Sequence, residues 1–198
     1  MTGPQAPERK ALPSATIEPF LARARGAVML ANLDRIFFEA SGTTVFASDV
    51  ARAAFRERWL GRYLVHDAGH AFLAIANAGT DAEELAGYLA GSLDDPARAE
   101  RFDDLGYFQQ LSALTALFPA QLHVNLAPAW RGRGLGRALV DAFCMHAAAA
   151  GVPGVHVFTG RGMRNVRFYE AADFVEIGAA QWNGREIVML GRRLAACD

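Results

Sequence analysis

The stretch from Gln121 to Ala150 constrains the fold more than any other part of the chain. QLHVNLA (121–127) alternates as a strand does, and Pro128-Ala129-Trp130 breaks it. RGRGLG (131–136) then leads into an amphipathic helix, Leu135 to about Ala150, with Leu135, Leu139, Ala142, Phe143 and His146 on one face and Gly151 at its end. A helix that opens on a glycine-rich turn directly after a strand presents unpaired N–H groups and the positive end of its dipole. Glycines at Gly132, Gly134 and Gly136 remove β-carbons that would hold an anion away, and Arg131, Arg133 and Arg137 add charge around it. The expected occupant is a pyrophosphate on the N–H groups of Arg133 to Arg137, Leu135 included.

Charge distribution points the same way. The net charge is only −1, but from Leu105 to Tyr169 the sole acid is Asp141, while Arg131, Arg133, Arg137, Arg161, Arg164 and Arg167 fall in that stretch. Arginine-rich codon usage explains arginine in place of lysine, since Lys10 is the only lysine. It does not explain the missing acids. Two nucleotide motifs fail on residues. The dinucleotide fingerprint counted from Gly132 meets Arg137 where its last glycine belongs, and a P-loop needs a lysine that is absent after residue 10.

The other elements are read from period and punctuation. Val28 to Ala40 is expected to be a helix, as is Asp49 to Leu64 with Ser48 as its cap and Ala54, Phe55, Trp59 and Tyr63 on its buried side. Ala71–Ala76 and Leu85–Leu93 flank a Gly-containing turn and predict an antiparallel hairpin; Gly87 and Gly91 argue against a helix for the second run. Asp103 to Phe118 predicts a helix with Leu111, Leu114 and Phe118 as its stripe. VHVF (155–158) is a buried strand, Asn165 to Ala171 a short helix, and Phe174–Ile177 with Glu186–Leu190 a closing pair of strands. Mixed elements with hairpins early and late give an α+β (mixed α/β) fold with a largely antiparallel sheet.

At 198 residues the chain suits one core. The expected organisation is a flexible tail over 1–14 and a single domain over 15–198, divided into an acceptor-side half (15–120) and a donor-binding half (121–198). Cys144 and Cys197 are too few for a disulfide framework or a cysteine metal site. His66, Asp67 and His70 flank Gly69, which favours a turn over a metal clasp, so no metal is expected. No apolar run is long enough to cross a bilayer, and MTGPQAPERK has no apolar core for a secretory signal. A cytoplasmic location and no membrane partner are the expectations. The arginines sit among glycines without interleaved aromatics, so no nucleic-acid partner is expected either.

Arg131-x-x-Gly134-x-Gly136, placed after a strand and opening a helix, is followed by VHVF and then by Asn165-x-x-x-Phe168-Tyr169-Glu170-x-x-Asp173-Phe174. This pair of motifs resembles the GCN5-related N-acetyltransferase (GNAT) superfamily, strongly over 121–175 and over 15–120 only in element order. The stretch also looks like the acetyltransferase-like domain attached to protein O-GlcNAc hydrolases, without the hydrolase part. The resemblance implies the acyl-CoA N-acyltransferase fold, a mostly antiparallel sheet with splayed middle strands flanked by helices and acetyl-CoA between them. It implies transfer of acetyl to a primary amine of a small molecule or peptide, with coenzyme A as product.

It further implies a backbone N–H near Asn125 or Leu126 on the thioester oxygen, and Leu126 main chain on the pantetheine. Tyr169 is the implied general acid, against a reading of Phe168 and Tyr169 as packing aromatics. Asn165 shares the helix face of Tyr169 and is the implied contact to pantetheine or phosphate, or a helix cap. For the base the residues name no clean candidate. His123, on the same side of its strand as Asn125, could take the amine proton or be a pocket wall. His146 and His156 read as structural. The acceptor is expected to meet Phe37, Phe38, Trp59, Tyr63 and Asp94 to Tyr107, whose acids (Asp94, Asp95, Glu100, Asp103, Asp104) form either a rim for a cationic amine or an ordinary solvated loop. The closing strands and Trp182 offer a surface for a homodimer. The rival function is a non-catalytic acyl-CoA-binding regulatory domain.

Overall fold

The structure, a computed structural model, describes residues 15–23 and 26–195. The tail expected over 1–14 lies outside the described residues. In chain order the elements are β1 (Ala15–Pro19), α1 (Ala27–Ala40), α2 (Asp49–Arg56), a π-helical turn (Glu57–Gly61), α3 (Arg62–His66), β2 (Phe72–Ala76), β3 (Glu84–Ser92), α4 (Tyr107–Gln110), α5 (Ser112–Thr115), β4 (Ala120–Leu126), α6 (Leu135–Ala149), β5 (Gly154–Gly160), α7 (Arg164–Glu170), β6 (Val175–Trp182) and β7 (Arg185–Arg193). Seven strands form one sheet in the order β1-β2-β3-β4-β5-β7-β6, antiparallel at every step but β4/β5. This is the mixed fold expected, with helices on both faces.

The parallel step is the exception that matters. β4 and β5 pair only at Ala120↔Val155 and Gln121↔His156. Each keeps its outer partner, β4 along β3 from Gln121 to Leu126 and β5 along β7 from Gly154 to Gly160. The middle of the sheet therefore opens into a V whose walls are Leu122–Leu126 and Val157–Gly160. Backbone N–H and C=O groups on the inner edge of each wall need partners that the sheet does not supply.

Register sorts the side chains of β4. Gly87 faces Leu126 and Gly91 faces Leu122 across the β3/β4 ladder, and a β-carbon on Gly91 would strike the Phe143 ring of α6. Leu122, Val124 and Leu126 thus lie on the α6 face, and Gln121, His123 and Asn125 on the face of α1 and α3. At Gly91 α6 approaches the sheet closely, whereas a β-carbon on Gly87 would meet Leu126 and the Asn125 carbonyl of β4. At Gly91 a β-carbon would also stand 2.7 Å from the Gln121 carbonyl oxygen. Gly91→Ala is expected to destabilise the fold by about 2 kcal/mol and lower Tm by roughly 4–8 °C. An unchanged thermal melt would mean that α6 can back away at no cost.

Two expectations are corrected, and one strand is added. Asp103–Phe118 is not one helix: Leu111, at φ −118° and ψ 28°, leaves the helical basin between α4 and α5, and adjacent Tyr107 and Phe108 are both buried. In Asp49–Leu64 Tyr63 is buried as expected, but Ala54 is exposed, and a π-helical turn at Glu57–Gly61 shifts the phase so that Leu60 is fully buried as well. β1 was not foreseen. Ser48 does cap α2, its Oγ accepting from the N–H of Ala51. Among the described residues no helix is long and apolar enough to cross a membrane.

Candidate functional site

On the α6 side of the V, α6 starts at Gly134, which is left-handed (φ 82°, ψ −10°), with no side chain capping the first-turn N–H groups. Gly132 is also left-handed, at φ 72°. β-carbons built at Gly132 and Gly134 would meet nothing within 4 Å, so the approach to the helix N-terminus is open. Gly136 has another role, because a β-carbon there would stand 3.0 Å from the Phe168 ring of α7. The glycines at 132 and 134 shape an open cradle at the start of α6, and the one at 136 lets α7 close against α6.

The arginines divide as well. The Arg137 guanidinium is bound to Asp141 and Asp173 (both 2.7 Å) and to the Ala171 carbonyl, so only its backbone N–H faces the cradle. Arg161 pairs with Glu176 and Glu186. The stretch that lacks acids in sequence is thus partly neutralised in space by acids from the closing strands. Arg131 reaches back to the Leu126 carbonyl (Nε to O 3.1 Å), and Arg133 lies 4.9 Å from the Trp130 ring centroid. Neither forms an ion pair among the described residues.

The cleft between the V and α7 is lined by Val124, Asn125, Leu126, Arg131, Asn165 and Tyr169. The N–H of Ala127 donates to the Ala86 carbonyl on β3. Alternation along the strand then turns the N–H of Asn125 toward β3 and those of Val124 and Leu126 toward the cleft. Of the two backbone donors expected, geometry selects Leu126. The Tyr169 ring is packed between Phe168 and Phe174, at 5.0 and 5.6 Å between centroids. Its hydroxyl makes no hydrogen bond among the described residues, and burial pushes its pKa well above the usual phenol range. Asn165 does not cap α7, whose N-cap is Met163. Its Oδ1 accepts from Thr159 Oγ1 at 2.7 Å, which leaves its N–H₂ for the cleft.

On the other face, His123 sits between Trp59 and Tyr63, 5.6 and 5.1 Å between ring centroids. The Tyr63 hydroxyl donates to Gln121 Oε1 (3.3 Å), so the 3.1 Å contact between Tyr63 and His123 is donated by His123 Nε2–H. That tautomer leaves a lone pair on Nδ1. Burial, with the nearby His156 and Arg62, pushes the His123 pKa down to about 4, so the ring is neutral at pH 7. His123 and Asn125 line a funnel with Phe37, Thr43, Phe55 and Trp59, and Asn125 also lines the cleft of Tyr169. The two sides of the V communicate there.

Of the two readings of the acidic segment, the geometry favours the solvated loop over the rim. Asp94 is paired to Arg101, Asp95 to Arg98 and Asp104 to Arg58 and Arg62, and none of the five acids lines the funnel. Asp67 accepts from Ser92 and Arg101. Trp182, partly exposed, packs against Trp59 and Tyr107, 5.8 and 5.5 Å between centroids. It lines the funnel beside Asn183. The loop at Ser41–Thr43 and the Gln121 side chain were missed. Gln121 could have been found from the two-residue period that placed His123 and Asn125.

His156 is fully buried, donates from Nδ1 to the Phe118 carbonyl at 2.5 Å, and has its pKa pushed down by burial to about 4. A histidine held neutral in the fold contributes stability that is complete above its unfolded pKa near 6.5 and is lost as pH falls toward 4. Between pH 7.5 and pH 4.5 His156 alone is expected to withdraw about 2–3 kcal/mol, with a smaller loss from the less deeply buried His123. Urea melts at the two pH values check this, and equal midpoints would mean the ring is protonated in the fold.

Residues 30–174 match the acetyltransferase (GNAT) family. Among solved structures the chain is similar to SsHAT (24% identity, TM-score 0.67), covering 92% of this chain and 100% of that one. It is similar to YncA from Salmonella typhimurium, solved with its cofactor acetyl-CoA (16%, TM-score 0.54, 91% and 94% covered). It is also similar to the ribosomal-protein-S18-alanine N-acetyltransferase from Escherichia coli (14%, TM-score 0.55, 93% and 97% covered). At these identities the likeness to each is one of fold.

Proposed function

The chain belongs to the acetyltransferase (GNAT) family, whose donor is acetyl-CoA, and on that premise we propose that it acetylates a primary amine of a small molecule or peptide by direct attack on the thioester. The observation that carries the reading is the V between β4 and β5, open beside an uncapped helix N-terminus and the free hydroxyl of Tyr169. The fold shared with an N-acetyltransferase of a protein alanine supports an amine acceptor. The narrower likeness to the domain attached to O-GlcNAc hydrolases remains a resemblance of sequence and names no acceptor.

Bound acetyl-CoA supplies an activated carbonyl and a thiolate leaving group. The first-turn N–H groups of α6, with Arg131 and Arg133, hold the pyrophosphate, and Arg137 contributes its backbone alone. The Asn165 N–H₂ and the inner edge of β4 hold the pantetheine arm. Leu126 N–H stabilises negative charge developing on the carbonyl oxygen. His123 Nδ1 accepts the proton of the attacking amine, and Tyr169 gives one to the sulfur.

The test is thiol release from acetyl-CoA across an amine library, with the product identified by mass. Release that requires an amine and gives an N-acetylated product supports the reading. Tight binding of acetyl-CoA without release for any amine would favour the regulatory domain.

A further inference from the structure

Toward its apex, on the α3 and α4 side, the V opens into a chamber of about 210 Å³ walled by Trp59, Tyr107, Phe108, Phe158 and Trp182. The two strands form the rest of its lining, and on β5 that lining extends to Thr159 and Gly160. β4 and β5 run parallel and pair at Gln121↔His156. Counting on from that pair brings Thr159 level with Val124 and Gly160 level with Asn125. The chamber therefore comes within one residue, about 3.3 Å along the strand, of the level of Leu126. Thr159 joins the two spaces, since it lines the chamber while its Oγ1 donates to Asn165, which lines the cleft. The methyl of an acetyl group fills little of this volume. An apolar cavity of about 150 Å³ holds a benzene ring, so the chamber has room for a six-carbon ring and roughly two carbons more.

We propose that this chamber receives the acyl group of the donor, and that the protein transfers, besides acetyl, apolar acyl groups of about six to eight carbons. The inference rests on reading the protein as an amine acyltransferase with its thioester at Leu126, and it names a donor class for that same site. Direction carries the assignment. The donor lies with its pyrophosphate at the start of α6 and its thioester at Leu126. The acyl group leaves the carbonyl on the side away from sulfur, so it continues toward the apex of the V, where the chamber is. The acceptor has a separate way in, because the funnel reaches Asn125 from the side of Thr43 and Phe55. An amine whose apolar end filled the chamber would have to turn back past His123 to reach the carbonyl, whereas an acyl chain starts there. Charge agrees: among the described residues no carboxylate and no arginine lines the chamber, so it suits an apolar acyl group and disfavours a succinyl one. The transfer itself is unchanged. The amine nitrogen bonds to the acyl carbon, the carbon–sulfur bond breaks, His123 takes the proton the amine loses, and coenzyme A leaves as the thiol.

The experiment presents acetyl-, butanoyl-, hexanoyl-, octanoyl-, dodecanoyl- and succinyl-CoA to the unmodified protein. It reads kcat/KM by thiol release with one working amine, the product by mass, and binding without amine by calorimetry. Hexanoyl- or octanoyl-CoA is expected to bind at least tenfold more tightly than acetyl-CoA, because each methylene buried in the chamber adds affinity until it is full. Its kcat/KM is expected to equal or exceed that of acetyl-CoA, with dodecanoyl- and succinyl-CoA below the optimum. A steady fall of kcat/KM from acetyl to octanoyl would overturn the proposal. So would tight binding of octanoyl-CoA without transfer of its acyl group while acetyl is transferred. Were no donor used with any amine, the enzyme reading would fail by itself, and binding alone would judge the chamber: a tenfold preference for hexanoyl- or octanoyl-CoA sustains it, and parity with acetyl-CoA removes it. Phe108→Leu takes a ring from the chamber wall and is expected to move the optimum up by about two carbons, with kcat/KM for acetyl-CoA kept within about threefold. An unmoved optimum in that variant, once folded, would overturn the assignment. Should it not fold, the panel on the unmodified protein decides.

Discussion

Tyr169→Phe is expected to lower kcat on the order of 10²-fold while leaving the fold and the affinity for acetyl-CoA nearly unchanged. The ring is 7% exposed and its neighbours are Phe168 and Phe174, all of which phenylalanine preserves. The hydroxyl makes no hydrogen bond among the described residues, so its removal strands no partner. What is lost is a proton donor beside the cleft, needed only as the carbon–sulfur bond breaks, and a group used only in the transition state appears in kcat. Burial raises the phenol's pKa, which keeps it protonated throughout the neutral and mildly alkaline range. The same shift makes it a weak acid toward a thiolate, which limits its contribution to the lower end for general acids. Steady-state thiol release with one working amine, beside calorimetry with acetyl-CoA, separates the two readings of Tyr169. Unchanged kcat, with chemistry shown to limit the rate, would make it a packing aromatic.

How much of this was legible in the sequence depended on how local the cause was. The strand at 121–126, the glycine turn, α6, β5 and α7 follow from period and punctuation within each segment, and their order carried the fold. Asp103–Phe118 has helical spacing but is broken at Leu111, because both Tyr107 and Phe108 are buried against Phe158 and one regular face could not hold them. The π-helical turn at Glu57–Gly61 lets Trp59 lie beside His123 while Leu60 and Tyr63 remain buried, a rotation that no simple period announces.

The site shows the same limit. Gly132, Gly134 and Tyr169 stood out because a turn and a short helix place them locally. That Arg137 is held by Asp141 and Asp173, or Arg161 by Glu176 and Glu186, depends on β6 and β7 folding back beside β5. The funnel beside His123 draws on α1, the π-helical turn, β4 and β6 at once, so its walls are far apart in the chain. The histidine at 156 read as a core residue and is one.

Gly134→Val is expected to weaken acetyl-CoA binding by about 10²-fold and to destabilise the unliganded protein by about 1–2 kcal/mol. The second figure is the strain of a side chain at φ 82°, ψ −10°, a region that β-branched residues avoid. No clash adds to it, because a β-carbon at Gly134 meets nothing within 4 Å. The loss of binding has two sources. Relief of strain would rotate the peptide that aims the first N–H groups of α6, and the valine methyls would project into the open approach a phosphate needs. Gly134→Asn separates them, since asparagine tolerates the left-handed region and keeps the peptide in place while still adding a side chain. It is expected to retain stability within about 1 kcal/mol and to lose less affinity than valine. Gly136→Val provides the contrast: there the neighbour is the Phe168 ring at 3.0 Å, so the damage falls on packing between α6 and α7 and shows as lost stability in the absence of ligand. Calorimetry with acetyl-CoA and thermal melts on the three variants suffice. A folded Gly134→Val protein that binds acetyl-CoA as tightly as the parent would remove the pyrophosphate from this turn.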